Sequence, residues 1–361
     1  MQETLKSPIA DEKNSPLRWI INPLLDYLFV AGGLFWILWG LTFAGMDPNK
    51  TDPSNTIFAA VLYWGSLLIT DVHGPATLGR VYTSKTTPKK VRTVVTVAGI
   101  LLISLGIPCL TNMSLIQAFT KVTLLWAVQH YTAQTYGVVM IYCLKNNFAL
   151  DSIEKFVIQN LLRAQLLFVW VRAFTLTQFG GINFLGIQVP FWGPLPMGFM
   201  LFTEFFLVLM CMIFVITFTI RLITSKELLP LPAILSIVTV IAITMLARDN
   251  SNYMIGVTFY HSSQYLAITY SYYLREKALE KSADAASGWH LIFARNSIIY
   301  YLSLLALGYC ISNTLPNGLF QINSQFPMAL ATVYCVFNCH HFFTDALVWR
   351  IRDPKIRQIL V

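Results

Sequence analysis

The sequence predicts an all-α, polytopic integral membrane protein of about ten transmembrane helices. Hydrophobic residues make up 56% of the 361 residues and charged ones only 12%, about half the charged share of an average soluble domain. The mean hydropathy is +0.60. The apolar residues run continuously rather than in period-two alternation, and lipid admits only helices and closed barrels, so the spans are helical. These features exclude a soluble globule and a disordered chain. A net charge of +8 would suggest a polyanion in a soluble protein. Here no run of five basic residues occurs, and nucleic acid is not an expected partner.

Residues 1–23 form a polar segment with Pro8, Pro16 and Pro23. It lacks the basic, apolar and small-residue order of a cleavable signal, so the first span is expected to act as an uncleaved insertion signal. About 20 apolar residues cross a bilayer as a helix. On that length the spans fall at 24–45, 56–79, 93–110, 115–144, 156–176, 199–223, 229–246, 253–274, 297–313 and 326–350. Together, residues 24–350 make a single helical domain, and 351–361 are a basic tail. The loop Thr177 to Gly198 is uncharged and rich in Gly, Pro and aromatics, as suits a re-entrant cap or an interfacial lid.

Charge placement tests the count. Alternate connecting segments carry 3, 5, 2, 2, 4 and 4 Lys and Arg, and the intervening ones 1, 0, 0, 1 and 0. A wrong number of spans would scramble that alternation. By the positive-inside bias both termini face the cytoplasm, and the chain is expected in a bacterial plasma membrane or an internal membrane. Asp26 is read as a headgroup-level residue, and the six cysteines, without a CxxC pair, as packing.

Ionisable residues inside spans are costly and so are functional candidates. Five of the six histidines lie in spans: His73 (DVHGPATLGR), His130 (WAVQHYTAQTYG), His261 (FYHSSQYLAITY), and the pair His340 and His341 (NCHHFFTDALVW). These contexts occupy even-numbered spans, which run parallel. Counted from the outer ends at about 1.5 Å per residue, His73 lies about 26 Å deep, His130 and His341 about 22 Å, and His261 about 12 Å. Helical spacing puts Trp126, His130, Gln134 and Gly137 on one face, and likewise His261, Gln264 and Tyr265, and Asn338, His341 and Asp345. His340 is turned about 100° from His341. Asp71 lies two residues before His73, and Gly74-Pro75 offers a helix break. The tyrosines of the eighth span are read as packing and interfacial belt. No GxSxG, P-loop, Rossmann or HExxH motif is present.

The placement of His73, His130, His261 and His341 on several spans resembles membrane-embedded iron oxygenases, namely the carotenoid-cleaving dioxygenases of the bacteriorhodopsin-related type. More distantly it resembles the histidine-box desaturases and hydroxylases. HxxxH and HxxHH boxes and a compact Gly-Asp-His motif are absent. The resemblance implies iron and O₂-dependent oxidation.

The expectation is therefore a non-haem iron site for a lipid-soluble substrate: an isoprenoid, a carotenoid or a fatty acyl chain. His73, His130, His261 and His341 are the expected ligands, with His340 a further candidate. Asp345 and Gln134 would orient them, and Asp71 would be a carboxylate ligand or proton relay. Imidazole also suits copper. Two rival readings are a proton-coupled transporter relaying through His73, Asp71, Asp345 and Arg163, and a bis-histidine haem electron carrier.

Overall fold

A computed structural model describes residues 18–45, 64–175, 182–189, 195–246, 253–280, 292–321, 325–350 and 353–360. Among them the protein is all-helical apart from one hairpin. The helices are α1 (Pro23–Val30) and α2 (Gly33–Gly45), α3 (Asp71–Thr83), α4 (Lys89–Cys109), α5 (Met113–Lys145) and α6 (Ser152–Thr175). After the hairpin come α7 (Met197–Ser225), α8 (Leu231–Leu246), α9 (Tyr253–Glu280), α10 (Arg295–Gln321), α11 (Phe326–Val348) and α12 (Pro354–Leu360). Each of the ten apolar segments overlaps a helix, with α1 and α2, bent by 62°, sharing the first. Three described helices, α4, α7 and α10, are long and apolar enough to cross a membrane, and the bent pair would make a fourth.

Hydropathy sorts the helices by position. α4, α7 and α10 turn apolar rows outward, among them Ile100, Leu101 and Ile107 on α4 and Phe202, Phe205 and Val215 on α7. The histidine-bearing helices α3, α5, α9 and α11 pack on one another. Surrounded by other helices, they carry Thr, Ser, Gln and His on faces that meet protein.

Close approach of α3 and α11 depends on Gly74. A Cβ there would lie 2.3 Å from the Phe337 ring, so only glycine lets α11 settle against this turn. Pro75 sits inside α3, and the helix runs through it without a break, preceded by a π-helical turn at Ser66–Thr70. Another π turn, Cys310–Thr314, interrupts α10 opposite, and a further one, Asp26–Val30, ends α1. Such turns inside α-helices are frequent at functional sites.

The connections gather by charge. Arg275 at the end of α9 donates to the carbonyls of Trp19, Ile20, Ile359 and Leu360. Glu276 accepts from Ser84 Oγ and Thr86 N in the α3–α4 loop, and Arg221 bridges Glu154 and Glu227. Asp26 belongs to this tie. It is fully buried, because the chain before α1 folds back over it, and its carboxylate accepts from Ile20 N, Ile21 N and the Tyr142 hydroxyl. Asp26 is thus turned inward at this end of the bundle, with its carboxylate satisfied by the protein. The basic tail is likewise folded in, as α12, with Ile356, Ile359 and Leu360 buried.

At the opposite end, part of the uncharged loop forms an antiparallel hairpin, β1 (Ile182–Phe184) and β2 (Ile187–Val189). Its tip residues Leu185 and Gly186 are left-handed, with φ of 52° and 82°, as a type I′ turn requires. Phe184 packs on Tyr334, and Gln117 donates to the Gln188 carbonyl. Residues 176–181 and 190–194 of that loop lie outside the described residues. Cys335 and Cys339 are buried beside Thr120 and Thr123, and all six cysteines are free.

A Cβ at Gly308 of α10 would come 2.4 Å from the Asp71 carbonyl oxygen, whereas one at Gly318 meets nothing. Gly308→Ala is therefore expected to cost about 1–3 kcal/mol through overpacking. Gly318→Ala is expected to be neutral or to gain up to about 1 kcal/mol of helix entropy. Thermal unfolding of the two variants in detergent checks the contrast, and equal midpoints would refute the close packing of α3 on α10.

Candidate metal centre

Each histidine-bearing inner helix supplies one imidazole and, four residues later, one polar side chain. The pairs are His73 and Thr77 on α3, His130 and Gln134 on α5, His261 and Tyr265 on α9, and His341 and Asp345 on α11. Residues four apart share a helix face, so parallel helices in register stack these pairs as two layers. The structure brings the four imidazoles together. Ring centroids are 4.8 Å apart for His73–His341, 4.9 Å for both His130–His261 and His130–His341, and 5.4 Å for His73–His261. His261 stands level with the others despite its shallower depth by sequence. Depth counted from a span end assumes that every helix starts at the same height, and α9 has far fewer residues ahead of its histidine than α5.

All four histidines and Asp345 are at most 8% exposed. One donor atom from each of His73, His261 and His341 falls within 4.8 Å of the others, and the same holds for His130, His341 and Asp345. Asp345 Oδ2 is 3.6 Å from His130 Nε2 and 3.7 Å from His341 Nε2, too far for a hydrogen bond. Donors around an ion at about 2.1 Å are themselves about 3–4 Å apart. Among the described residues, His130 Nε2, both ring nitrogens of His261, and His341 Nε2 are buried without a hydrogen-bond partner. Buried polar atoms are normally satisfied; this concentration of orphaned donors fits an ion among them.

The lower layer holds the upper one in place. His341 Nδ1 lies 2.6 Å from Thr77 Oγ1, which is 3.3 Å from Asp345 Oδ1. The Tyr265 hydroxyl donates to Asp345 Oδ1 at 2.7 Å, and Trp349 Nε1 donates to Tyr265 at 3.1 Å. A proton on His341 Nδ1 directed at Thr77 leaves Nε2 as the free lone pair, and Asp345 keeps Oδ2 for the cluster. His73 Nδ1 bonds the Thr70 carbonyl and meets Ser262 Oγ, so Nε2 is again the nitrogen left over. Phe342 stacks on His130 at 4.5 Å and Tyr131 lies against His261 at 4.3 Å, which shields the rings from water.

The remaining candidates stand apart. His340 faces α4, its Nε2 on the Val95 carbonyl, as its 100° offset on the helix requires. Asp71 accepts from Ser312 at 2.9 Å and Ser66 at 3.4 Å, between the π turns that carry those serines, and does not join the donor set. Gln134 reaches no imidazole; its Nε2 donates to the His261 carbonyl and to Gln264 Oε1. Arg163 is on the exposed face of α6, on Asn160. Sequence reasoning passed over Thr77 and Trp349, and it read Tyr265, though on the His261 face, as packing. The recurring H-x-x-x-polar spacing on all four parallel helices is the signal that marks Thr77 and Tyr265.

Two cavities reach the cluster. One of about 330 Å³, between α3, α10, α11 and the hairpin tip, touches His73 and Asp71. Another of about 240 Å³, between α5, α9 and α11, touches His130, Tyr265 and Asp345.

Thr77→Val removes the hydroxyl that orients His341 while keeping the shape of the side chain. Metal affinity, read by chelator competition on the purified protein, is expected to fall about 10–100-fold, the usual cost of losing an outer-layer partner. An unchanged affinity would separate Thr77 from the centre.

No protein-family model, no curated protein and no solved structure matches this chain.

Proposed function

We propose that the chain is a multi-pass membrane metalloprotein that holds one non-haem iron and oxidises a lipid-soluble substrate with O₂. The observation that carries this reading is the set of partnerless imidazole nitrogens on three helices, at His130, His261 and His341, with the His73 ring and the Asp345 carboxylate beside them. Two histidines and a carboxylate with open positions form the donor set typical of non-haem iron oxygenases, and His130, His341 and Asp345 supply that set.

The surroundings favour a single ion over the haem alternative, because imidazoles in mutual contact at 4.8–6.1 Å leave no slab for a porphyrin. They also argue against the transporter relay, since Asp71 and Arg163 are engaged elsewhere. When bound, iron would supply the redox chemistry with O₂ that no side chain here provides. The residues themselves do four things. Thr77 and Thr70 fix which ring nitrogen is free, Asp345 balances charge, Phe342 and Tyr131 exclude water, and Tyr265 holds a proton on its hydroxyl against Asp345.

The outward apolar rows of α4, α7 and α10 support a bilayer as solvent. Basic connections at one end, with the uncharged hairpin at the other, support ten spans with both termini inside. The inner helices would cross with their polar faces turned to each other, which hydropathy alone undercounts.

Metal analysis of the purified protein is expected to find about one iron per chain. His130→Ala with His341→Ala should lower it below about a tenth of that value, while His340→Ala keeps it. Wild-type protein with no metal above background would overturn the proposal. For topology, single cysteines at 188 and 285 in a chain otherwise free of cysteine should label from opposite faces of sealed membranes. Labelling from one face would refute the ten-span arrangement.

A further inference from the structure

The cavity between α5, α9 and α11 has a chemical signature of its own. Its walls include Trp126, Val138, Ile268, Phe342 and Trp349, with His130 and Asp345 at the side of the donor cluster. Gln134 also lines it, and its orientation is fixed by its neighbours. Gln134 Nε2 faces the His261 carbonyl, which can only accept. Its second contact, Gln264 Oε1, is an acceptor too, because Gln264 spends its own Nε2 on the Val30 carbonyl and the Tyr260 hydroxyl. The Gln134 oxygen is therefore the atom left over, and it is buried without a partner among the described residues. An amide oxygen in this position needs a donor.

We infer that this cavity seats the head of a lipid-soluble alcohol, whose first carbons lie between Trp126, Phe342 and Trp349 and whose hydroxyl donates to Gln134 Oε1 after a small turn of that side chain uncovers the oxygen, which is closed off as it stands. Gln134 is four residues on from His130, about 6 Å along the axis, so the carbons next to the hydroxyl are presented to the donor cluster. A volume of about 240 Å³ is below the about 300–1,000 Å³ of sites that enclose a whole drug-sized ligand. It takes a head and a few carbons, so the rest of the chain extends beyond the cavity. The substrate is thus held by its polar end, not by the middle of its chain. The reaction at this position rests on the metal reading above; the binding does not.

Gly137 provides the test. It lines the same cavity, and a Cβ added there meets no atom within 4 Å, so Gly137→Leu fills the chamber without displacing the backbone. The probes are a radiolabelled C20 prenyl alcohol and the hydrocarbon of the same skeleton, bound to detergent-purified protein before and after chelator treatment. Wild type is expected to prefer the alcohol by about tenfold, the size of one well-made buried hydrogen bond. Gln134→Leu should abolish the preference while leaving the hydrocarbon bound. Gly137→Leu should weaken both by tenfold or more, with the same metal content as wild type. Equal binding of alcohol and hydrocarbon to wild type, or unaltered binding to Gly137→Leu, overturns the inference. Alcohol preference in protein that, before any chelator treatment, holds no metal above background would sustain it and sink the iron reading alone.

Discussion

Desolvated imidazole nitrogens dominate the design of this bundle. A polar atom taken from water into an apolar interior without a partner costs several kcal/mol on the water-to-hydrocarbon scale, and four such atoms lie side by side at its centre. The inner helices are arranged to make that concentration possible. Gly74 lets α11 approach α3, two π turns carry the Ser66 and Ser312 hydroxyls that meet Asp71, and α9 enters at a height that brings His261 level with its neighbours. Thr77, Tyr265, Asp345 and Trp349 then form a satisfied network directly beneath. Polarity inside the bundle is thus split into a layer that is closed and a layer that is open.

The exterior answers a different requirement. α4, α7 and α10 carry apolar side chains on faces that no other part of the described chain covers, and polar residues on their outward faces are sparse. The ends are held by charge and hydrogen bonds alongside apolar packing. Asp26, Arg275 and the terminal α12 knit the first turns of the chain to the last ones at the basic end. The hairpin covers the other end through Phe184 and Gln188. An apolar waist between two polar ends is the division expected of a protein solvated by lipid around its middle.

The helices were legible in the sequence because continuous apolar runs and alternating basic loops both report the same physical boundary. The four imidazoles were legible too, since an ionisable group in an apolar run has few reasons to be there. Other features depended on relations that a linear reading does not contain. The burial of Asp26 could not be read, because nothing in its neighbourhood announces that residues 18–22 fold back to cap it. His340 entered the candidate set beside His341 although one helical step of 100° sends it to α4. Tyr265 was absorbed into a run of tyrosines whose members differ only in which face they occupy. Helix depth failed for His261 because span ends were taken as level. The small hairpin within the uncharged loop was missed, since a turn of Leu185-Gly186 carries little of the usual sequence signal.

The order in which the chain is made has a bearing on the cluster. Its donors are spread from His73 to Asp345, so the growing polypeptide delivers His73, His130 and His261 to the membrane long before α11 exists. During that interval three imidazoles have no Thr77–His341 pairing, no Asp345 and no Phe342 to close the space. Only the last long helix completes the set, and α12 then latches behind it. The donor set is consequently complete only once α11 has been made, and a chain stopped short of it keeps an unfinished polar interior.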